Sequence, residues 1–171
     1  MTTKRVTRDD FTAQFDLLRS EPEKYLDLAN EFIKQNPNDS HGYFTRHWAW
    51  KRLGRMDLAL ADLDHSLRLE PHTVTFRAHG SVYRAMGRYQ EAINDFDRSQ
   101  SIDPKSWAGS FGPLFRADCH ARLGNLEAAL ADCAALRDDH WTPGVFGAPA
   151  GTKAEVTAEI RRMALAVRGA R

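Results

Sequence analysis

Tyr43-Phe44-Thr45-Arg46-His47-Trp48-Ala49-Trp50 and Phe76-Arg77-Ala78-His79-Gly80-Ser81-Val82-Tyr83 carry nearly the same pattern twice. Each block runs on to a glycine (Gly54, Gly87), an alanine five residues later (Ala59, Ala92), a large apolar residue (Leu63, Phe96) and a proline (Pro71, Pro104). Aromatic and small residues recur at helical spacing before the glycine, and small and large apolar residues after it. A glycine suits the left-handed position that closes a helix, so each block reads as two helices joined at Gly54 or Gly87. The two glycines lie 33 residues apart.

Outward from this pair, the pattern wears but continues. Toward the N-terminus, Pro37 stands where Pro71 and Pro104 stand, with Tyr25, Leu28, Ala29, Phe32 and Ile33 as the apolar face of the helix before it. Ser20-Glu21-Pro22-Glu23 reads as a capping box opening that helix. A shorter helix precedes it, with Thr7 as N-cap and Phe11, Phe15 and Leu18 as its stripe. Toward the C-terminus the next glycine, Gly124, comes after 37 residues, so Lys105-Ser106-Trp107-Ala108-Gly109 reads as an insertion. Pro113, Arg116, Ala117 and His120 then stand where the pattern wants aromatic, large, small and aromatic residues, Ala129 and Cys133 match, and Trp141 takes the place of the closing proline. Asp138 to Gly151 is rich in Pro and Gly and reads as a loop. Thr152-x-x-Glu155 is a second capping box, opening a last helix whose apolar set is Val156, Ile160, Met163, Leu165 and Val167.

These residues resemble the tetratricopeptide repeat (TPR) signature of two antiparallel helices per repeat. The resemblance covers residues 39–137 well and the flanks by analogy. It implies an all-α fold, a TPR-type α-solenoid forming a right-handed superhelix, with an N-terminal helix pair and a C-terminal capping helix. The expected organisation is a single domain over 7–168: a degenerate helix pair at 7–37, repeats at 40–71 and 73–104, a divergent third repeat at 110–141, and a capping helix at 152–168. Small residues (Ala59, Gly80, Ala92, Ala117, Ala129) let paired helices approach, and Trp50, Leu63, Tyr83 and Phe96 fill the gaps.

In proteins similar to this, the first helix of each repeat lines a concave groove that binds a protein or peptide. Carried over by position, the resemblance implies His41, Phe44, Trp48, Lys51 and Arg52 from the first repeat. It implies Arg77, Ser81 and Arg84 from the second, and Phe111, Leu114, Asp118 and Arg122 from the third. Aromatics and arginines of this kind dominate interface hot spots, and the matching ligand is an acidic segment with an apolar anchor. A subgroup of the family clamps the C-terminal tails of Hsp70 or Hsp90 with Lys, Asn and Arg at five places. Phe44, Trp48, Ala78, Phe111 and Phe115 stand there instead, so an Hsp70/Hsp90 tail is not the expected partner.

Composition is consistent with a folded interaction protein. The 171 residues include 24 basic and 23 acidic side chains, a formal net charge of +1 that offers no global field for nucleic acid or an anionic membrane. The first ten residues lack an apolar signal region, and no run of about 20 apolar residues exists to span a bilayer. A cytoplasmic protein without membrane insertion is expected.

Other signals are weaker. Seven histidines and two cysteines, Cys119 and Cys133, show no metal-ligand spacing, so neither metal nor cofactor is expected. Cys119 and Cys133 read as buried thiols on facing helices. Asp57, Asp62, Asp64, Asp95, Asp97 and Asp132 read as a solvated face of the second helices. No phosphate loop, Gly-x-Ser-x-Gly or His-Glu-x2-His motif occurs, so no catalytic residue is assigned. Trp107 either folds back or serves as a loop contact. Trp141 is expected to fold back, and Phe146 shares its loop.

The expected function is therefore a non-catalytic module that binds a protein or peptide in its groove. A secretion-type chaperone and a toxin-immunity binder are the narrower alternatives. An enzyme accessory subunit would need His79, Arg84 and Asp118 to converge on a deep pocket, and a self-associating scaffold would use an exposed end of the stack.

Overall fold

The computed structural model describes residues 5–13, 15–139, 141–142, 144 and 148–170. Apart from one two-residue ribbon, the regular elements of these residues are helices, and the chain divides into two compact units, up to Val82 and from Tyr83 onward.

The first unit contains α1 (Arg8–Ala13), α2 (Phe15–Ser20), α3 (Pro22–Gln35), α4 (Ser40–Arg52), α5 (Met56–Leu69) and most of α6 (Thr73–Ala85). The Thr7 N–H and hydroxyl both donate to Asp10 at 2.8 Å, fixing the start of α1. Ser20 does not cap α3. It ends α2 and donates its hydroxyl to the Asp16 carbonyl at 3.1 Å, leaving Glu21 at the N-cap, where its side chain caps no backbone N–H and pairs with Lys24 instead. Pro22 in the first turn of α3 and Pro37 after its end set the limits of that helix. Asp39 caps α4 by accepting from the His41 N–H at 2.9 Å.

Gly54 closes α4 at φ +72°, and its neighbour Arg55 donates back to the Trp50 carbonyl at 2.8 Å. The closure recurs at Gly87, where Arg88 returns to Tyr83 at 2.9 Å. It recurs again at Gly124, with Asn125 returning to His120 at 2.9 Å. These are Schellman-type ends, which use carbonyls the helix cannot bond itself. The repeat of three glycines is thus a repeat of one turn.

The core of the first unit includes Phe11, Leu18, Tyr25, Ala29, Phe32 and Ala49. Phe11 meets Tyr25 and Phe32 edge to face at 5.8 and 5.3 Å, geometry that adds about 0.5–1.5 kcal/mol per pair beyond burial. Phe15 leaves the expected stripe and is exposed, whereas Phe11 and Leu18 are buried.

The second unit comprises the end of α6, then α7 (Tyr89–Ile102), α8 (Pro104–Ala108), α9 (Gly112–Arg122), α10 (Leu126–Ala134), β1 (Trp141–Thr142), β2 (Gly151–Thr152) and α11 (Lys153–Gly169). The insertion at 105–109 is not an open loop. Pro104 starts α8 and the Asp103 carboxylate caps it by accepting from the Ser106 N–H at 2.9 Å. Trp107 turns inward to 2% exposure, 5.8 Å from Phe96 and under the Arg116 guanidinium at 4.8 Å. Gly112 opens α9 beneath it, and a Cβ there would stand 2.3 Å from the Trp107 ring. Phe111 takes the N-cap place, while Ser110 accepts from the Gly112 N–H at 3.0 Å.

After α10, β1 and β2 pair antiparallel, Trp141 with Thr152 and Thr142 with Gly151. The expected capping box opens α11: Thr152 Oγ1 accepts from the Glu155 N–H at 3.4 Å and Glu155 accepts from the Thr152 N–H at 2.8 Å. Val156, Ile160 and Ala164 bury the inner face of α11, but Leu165 points out. No helix among the described residues is long and apolar enough to cross a membrane.

Candidate protein-binding surface

In the first unit, packing buries Gly42, Thr45 and Ala49 along one side of α4 and His47 on another. Among the residues of α4 left half-buried are His41, Phe44, Trp48 and Lys51, beside Tyr43, Arg46 and Trp50, and Arg52 is exposed. Phe44, Trp48 and Lys51 follow one another at helical spacing, so they form one stripe. The Lys51 ammonium lies 5.4 Å from the Trp48 ring, within cation–π range. Arg52 donates to the Arg19 carbonyl at 3.3 Å.

At the start of α4, His41 and Phe44 line a cleft of about 270 Å³ with Val74 and Thr75 of α6. Arg8, Ser40 and Glu70 form its polar side, and Ser40 donates to Glu70 at 2.7 Å. Arg8 pairs with Asp39 at 2.7 Å. Burial works against the Asp39 charge, yet Arg8 and the His41 N–H together hold its carboxyl below the usual range. The His41 ring sits edge-on to Phe11 and Phe32, and its buried Nε2 has no hydrogen-bond partner among the described residues. Burial first, and the nearby Arg8 charge second, push its pKa down. In α6, Arg77 and Ser81 are half-buried, and Arg77 bonds Thr73 Oγ1 at 3.4 Å.

The second unit treats its expected contact residues differently. Leu114 and Asp118 have no exposure, and Arg84 is buried, so none of these three lines a surface. Arg84 donates to Asp118 at 2.6 Å and lies over the Phe115 ring at 4.7 Å. Arg122 donates to the other Asp118 oxygen at 3.0 Å and stands 5.5 Å from the Tyr89 ring. Burial opposes the Arg122 charge, but the Asp118 carboxylate outweighs it and raises the pKa. A charge inside a protein persists only when paired, and here two guanidiniums pair one carboxylate. Trp107, the loop contact candidate, is packed as described above. Of the expected set in this unit, Phe111 remains exposed and Arg122 half-exposed.

The sequence pattern missed Trp141. It was expected to fold back, but it is 65% exposed, and with Phe111 it lines a cleft of about 330 Å³ that includes Leu136, Arg137 and Asp139. Pairing of β1 with β2 uses the Trp141 backbone and leaves the indole outside. Phe146 and His140 lie outside the described residues.

Several acidic residues also change role. Asp62, Asp95 and Asp132 are buried rather than solvated. Arg46 grips Asp62 through Nε at 2.8 Å and Nη2 at 2.6 Å. Arg116 grips Asp132 in the same fork at 2.9 and 2.6 Å. Both pairs are separated by 16 residues and tie the first helix of a hairpin to its second. A sixteen-residue Arg–Asp spacing is visible in the sequence and is the signal that could have found them. Among the described residues, no three His, Cys, Asp or Glu side chains are grouped to hold a metal ion.

The comparisons with known proteins agree with this architecture. The model of a family described as tetratricopeptide repeat matches residues 78–106. Over 78 residues the chain is 30% identical to Hsp70-Hsp90 organizing protein 3 of Arabidopsis thaliana, an alignment covering 45% of this chain and 14% of that protein. The chain thus corresponds to a small part of that relative's length. Among solved structures, MamA from Desulfovibrio magneticus RS-1 superposes with a TM-score of 0.64 at 20% identity, covering 72% of this chain and 70% of that one. YrrB, titled a TPR protein with an unusual peptide-binding site, superposes with a TM-score of 0.62 at 18% identity, covering 90% and 82%. At these identities the structural likenesses speak for the fold.

Proposed function

We propose that this chain, whose all-α fold is that of tetratricopeptide-repeat solenoids, is a protein–protein interaction module that holds a protein or peptide segment against the first helices of its repeats. The observation that carries this reading is the α4 stripe of Phe44, Trp48 and Lys51, left half-open by packing and already ordered by the contact of Lys51 with Trp48. A surface ordered before binding loses little conformational entropy when a partner arrives. Aromatic rings take the apolar anchor of the segment, and Lys51 and Arg52 take its carboxylates.

In this reading the protein is a non-catalytic adaptor of the cytoplasm. Arg84 and Asp118 neutralise each other inside the second unit and offer no reacting group. Toxin occlusion through the 105–109 insertion loses its contact, since Trp107 is buried. A secretion-type chaperone remains compatible with the α4 stripe. An Hsp70 or Hsp90 tail is not the proposed ligand, because Phe44, Trp48, Ala78, Phe111 and Phe115 supply no carboxylate clamp.

The test compares wild type with a Phe44→Ala/Lys51→Glu variant whose melting temperature matches. Partners recovered from native lysate are identified and their binding measured directly by calorimetry. Loss of at least tenfold in affinity is expected. An unchanged affinity would overturn the α4 assignment and direct attention to the Phe111–Trp141 cleft.

A further inference from the structure

α11 is long but thinly attached. Of its 17 residues three are buried, Val156, Ile160 and Ala164, against eight of the 11 residues of α9. Segments with few buried apolar contacts open at the low end of the range of local stabilities, ahead of the domain as a whole. The capping box of Thr152 with Glu155 and the pair of Glu159 with Arg162 stay within the helix and its cap, so neither holds α11 to its neighbours.

Lys153 does hold it. Its ammonium donates to the Leu136 carbonyl at 2.7 Å, the Asp138 carboxylate at 3.0 Å and the Ala134 carbonyl at 3.2 Å, so all three of its protons are used. Among the described residues, the further polar contact of an α11 side chain with the rest of the unit is Thr157 against the Cys133 thiol. A cation in the first turn of a helix opposes the dipole of that helix. Lys153 instead reaches back to the carbonyl end of α10, which lacks the glycine closure of α4, α6 and α9, and a cation is favoured there.

The two thiols lie on different sides of this joint. Cys133 is buried at the α10 face that α11 covers: burial raises its pKa, and Thr157 and Lys153 of α11 both act against that rise. After burial, Cys119 answers to Asp118, Arg84 and Arg122, and to no group of α11. We propose that α11 is a lid over the end of α10, opening ahead of global unfolding, with the Lys153 ammonium as the catch that holds it closed. Loss of that one charge leaves two carbonyls and a carboxylate without their donor and releases the lid. Cys133 is then uncovered while Cys119 stays covered.

Thiol labelling of the full-length protein under native conditions reads the lid directly, with peptide mapping to separate the two cysteines. In wild type both thiols should stay protected without denaturant. Lys153→Met should label at Cys133 at least tenfold faster than wild type with Cys119 unchanged, and Lys153→Arg, which keeps the charge, should restore protection. Arg161→Met, at an exposed position of the same helix, should label as wild type does. Equal gains at Cys119 and Cys133 would mean that Lys153→Met loosens the whole unit, and no gain at Cys133 would mean that Lys153 is no catch. Either result overturns the proposal. If Lys153→Met does not fold, hydrogen exchange of wild type decides. Amides of α11 should exchange through an opening that α9 does not share, and equal protection of the two helices would overturn the lid.

Discussion

The Arg84 guanidinium donates to the Asp118 carboxylate at 2.6 Å, and both side chains are withdrawn from solvent. Arg122 completes the arrangement from the partly exposed side at 3.0 Å. Residues that pattern alone assigns to a ligand are thus committed to holding the α6 end against α9. Any binding by the second unit falls to what is left outside, chiefly Phe111 and Trp141.

Breaking this pair from one side should be worse than removing it whole. Arg84→Met leaves the Asp118 charge with Arg122 alone, and a loss of about 3–5 kcal/mol is the usual scale for a half-broken buried pair, reduced here by Arg122. Arg84→Met/Asp118→Leu should recover part of that loss. Urea denaturation of the two single variants and the double variant forms the cycle. Strictly additive losses would show that the two residues do not act as a pair.

His47 should make the fold acid-sensitive. Burial pushes its pKa down to about 3, although its ring nitrogen bonds the Phe44 carbonyl. The unfolded chain takes up the proton near pH 6.5, whereas the folded chain resists until far lower. Stability is therefore full above that unfolded value and falls as the pH drops toward 3. The loss is on the order of 2 kcal/mol by pH 5 from this group alone. Burial shifts His41 and His120 in the same direction. His47→Asn, which keeps a donor for Phe44, should show a shallower decline in melting temperature between pH 7 and pH 5. An equally steep decline would remove His47 as the cause.

Gly112 should be intolerant of any side chain. Its absent Cβ is where the Trp107 ring lies, so Gly112→Ala must move that ring at an overpacking penalty of about 1–3 kcal/mol. Gly109→Ala is the control, with its nearest neighbour at 3.7 Å and negative φ. Chemical denaturation and the near-ultraviolet dichroism of tryptophan should change for the first and stay for the second.

The two thiols should be silent in the native state. Burial raises both, Cys119 to about 12 with the Asp118 charge adding to the effect. Reaction with an aromatic disulfide at pH 8 should require unfolding and then release two equivalents. A fast native reaction at either thiol would contradict their burial.

Much of the helical framework was legible in the letters because it depends on local chemistry. Gly54, Gly87 and Gly124 mark turns that need positive φ, Pro37 and Pro71 lie between helices and Pro104 opens one, and Thr152 with Glu155 closes a capping box within four residues. The site was less legible. Phe44 and Leu114 are both apolar residues on first helices, yet one is half-open and the other has no exposure. Their difference depends on which neighbours pack over them, and position within a repeat does not carry that information.

The amino-acid order by itself therefore determined the repeat and its glycine turns, since each rests on interactions within a few residues of chain. Tertiary structure alone decided that Trp107 is core and Trp141 is surface. It also decided that Asp118 is gripped by an arginine 34 residues away. Burial and ion pairing depend on which groups arrive from distant parts of the chain, and desolvation then settles whether a charge faces water or another charge.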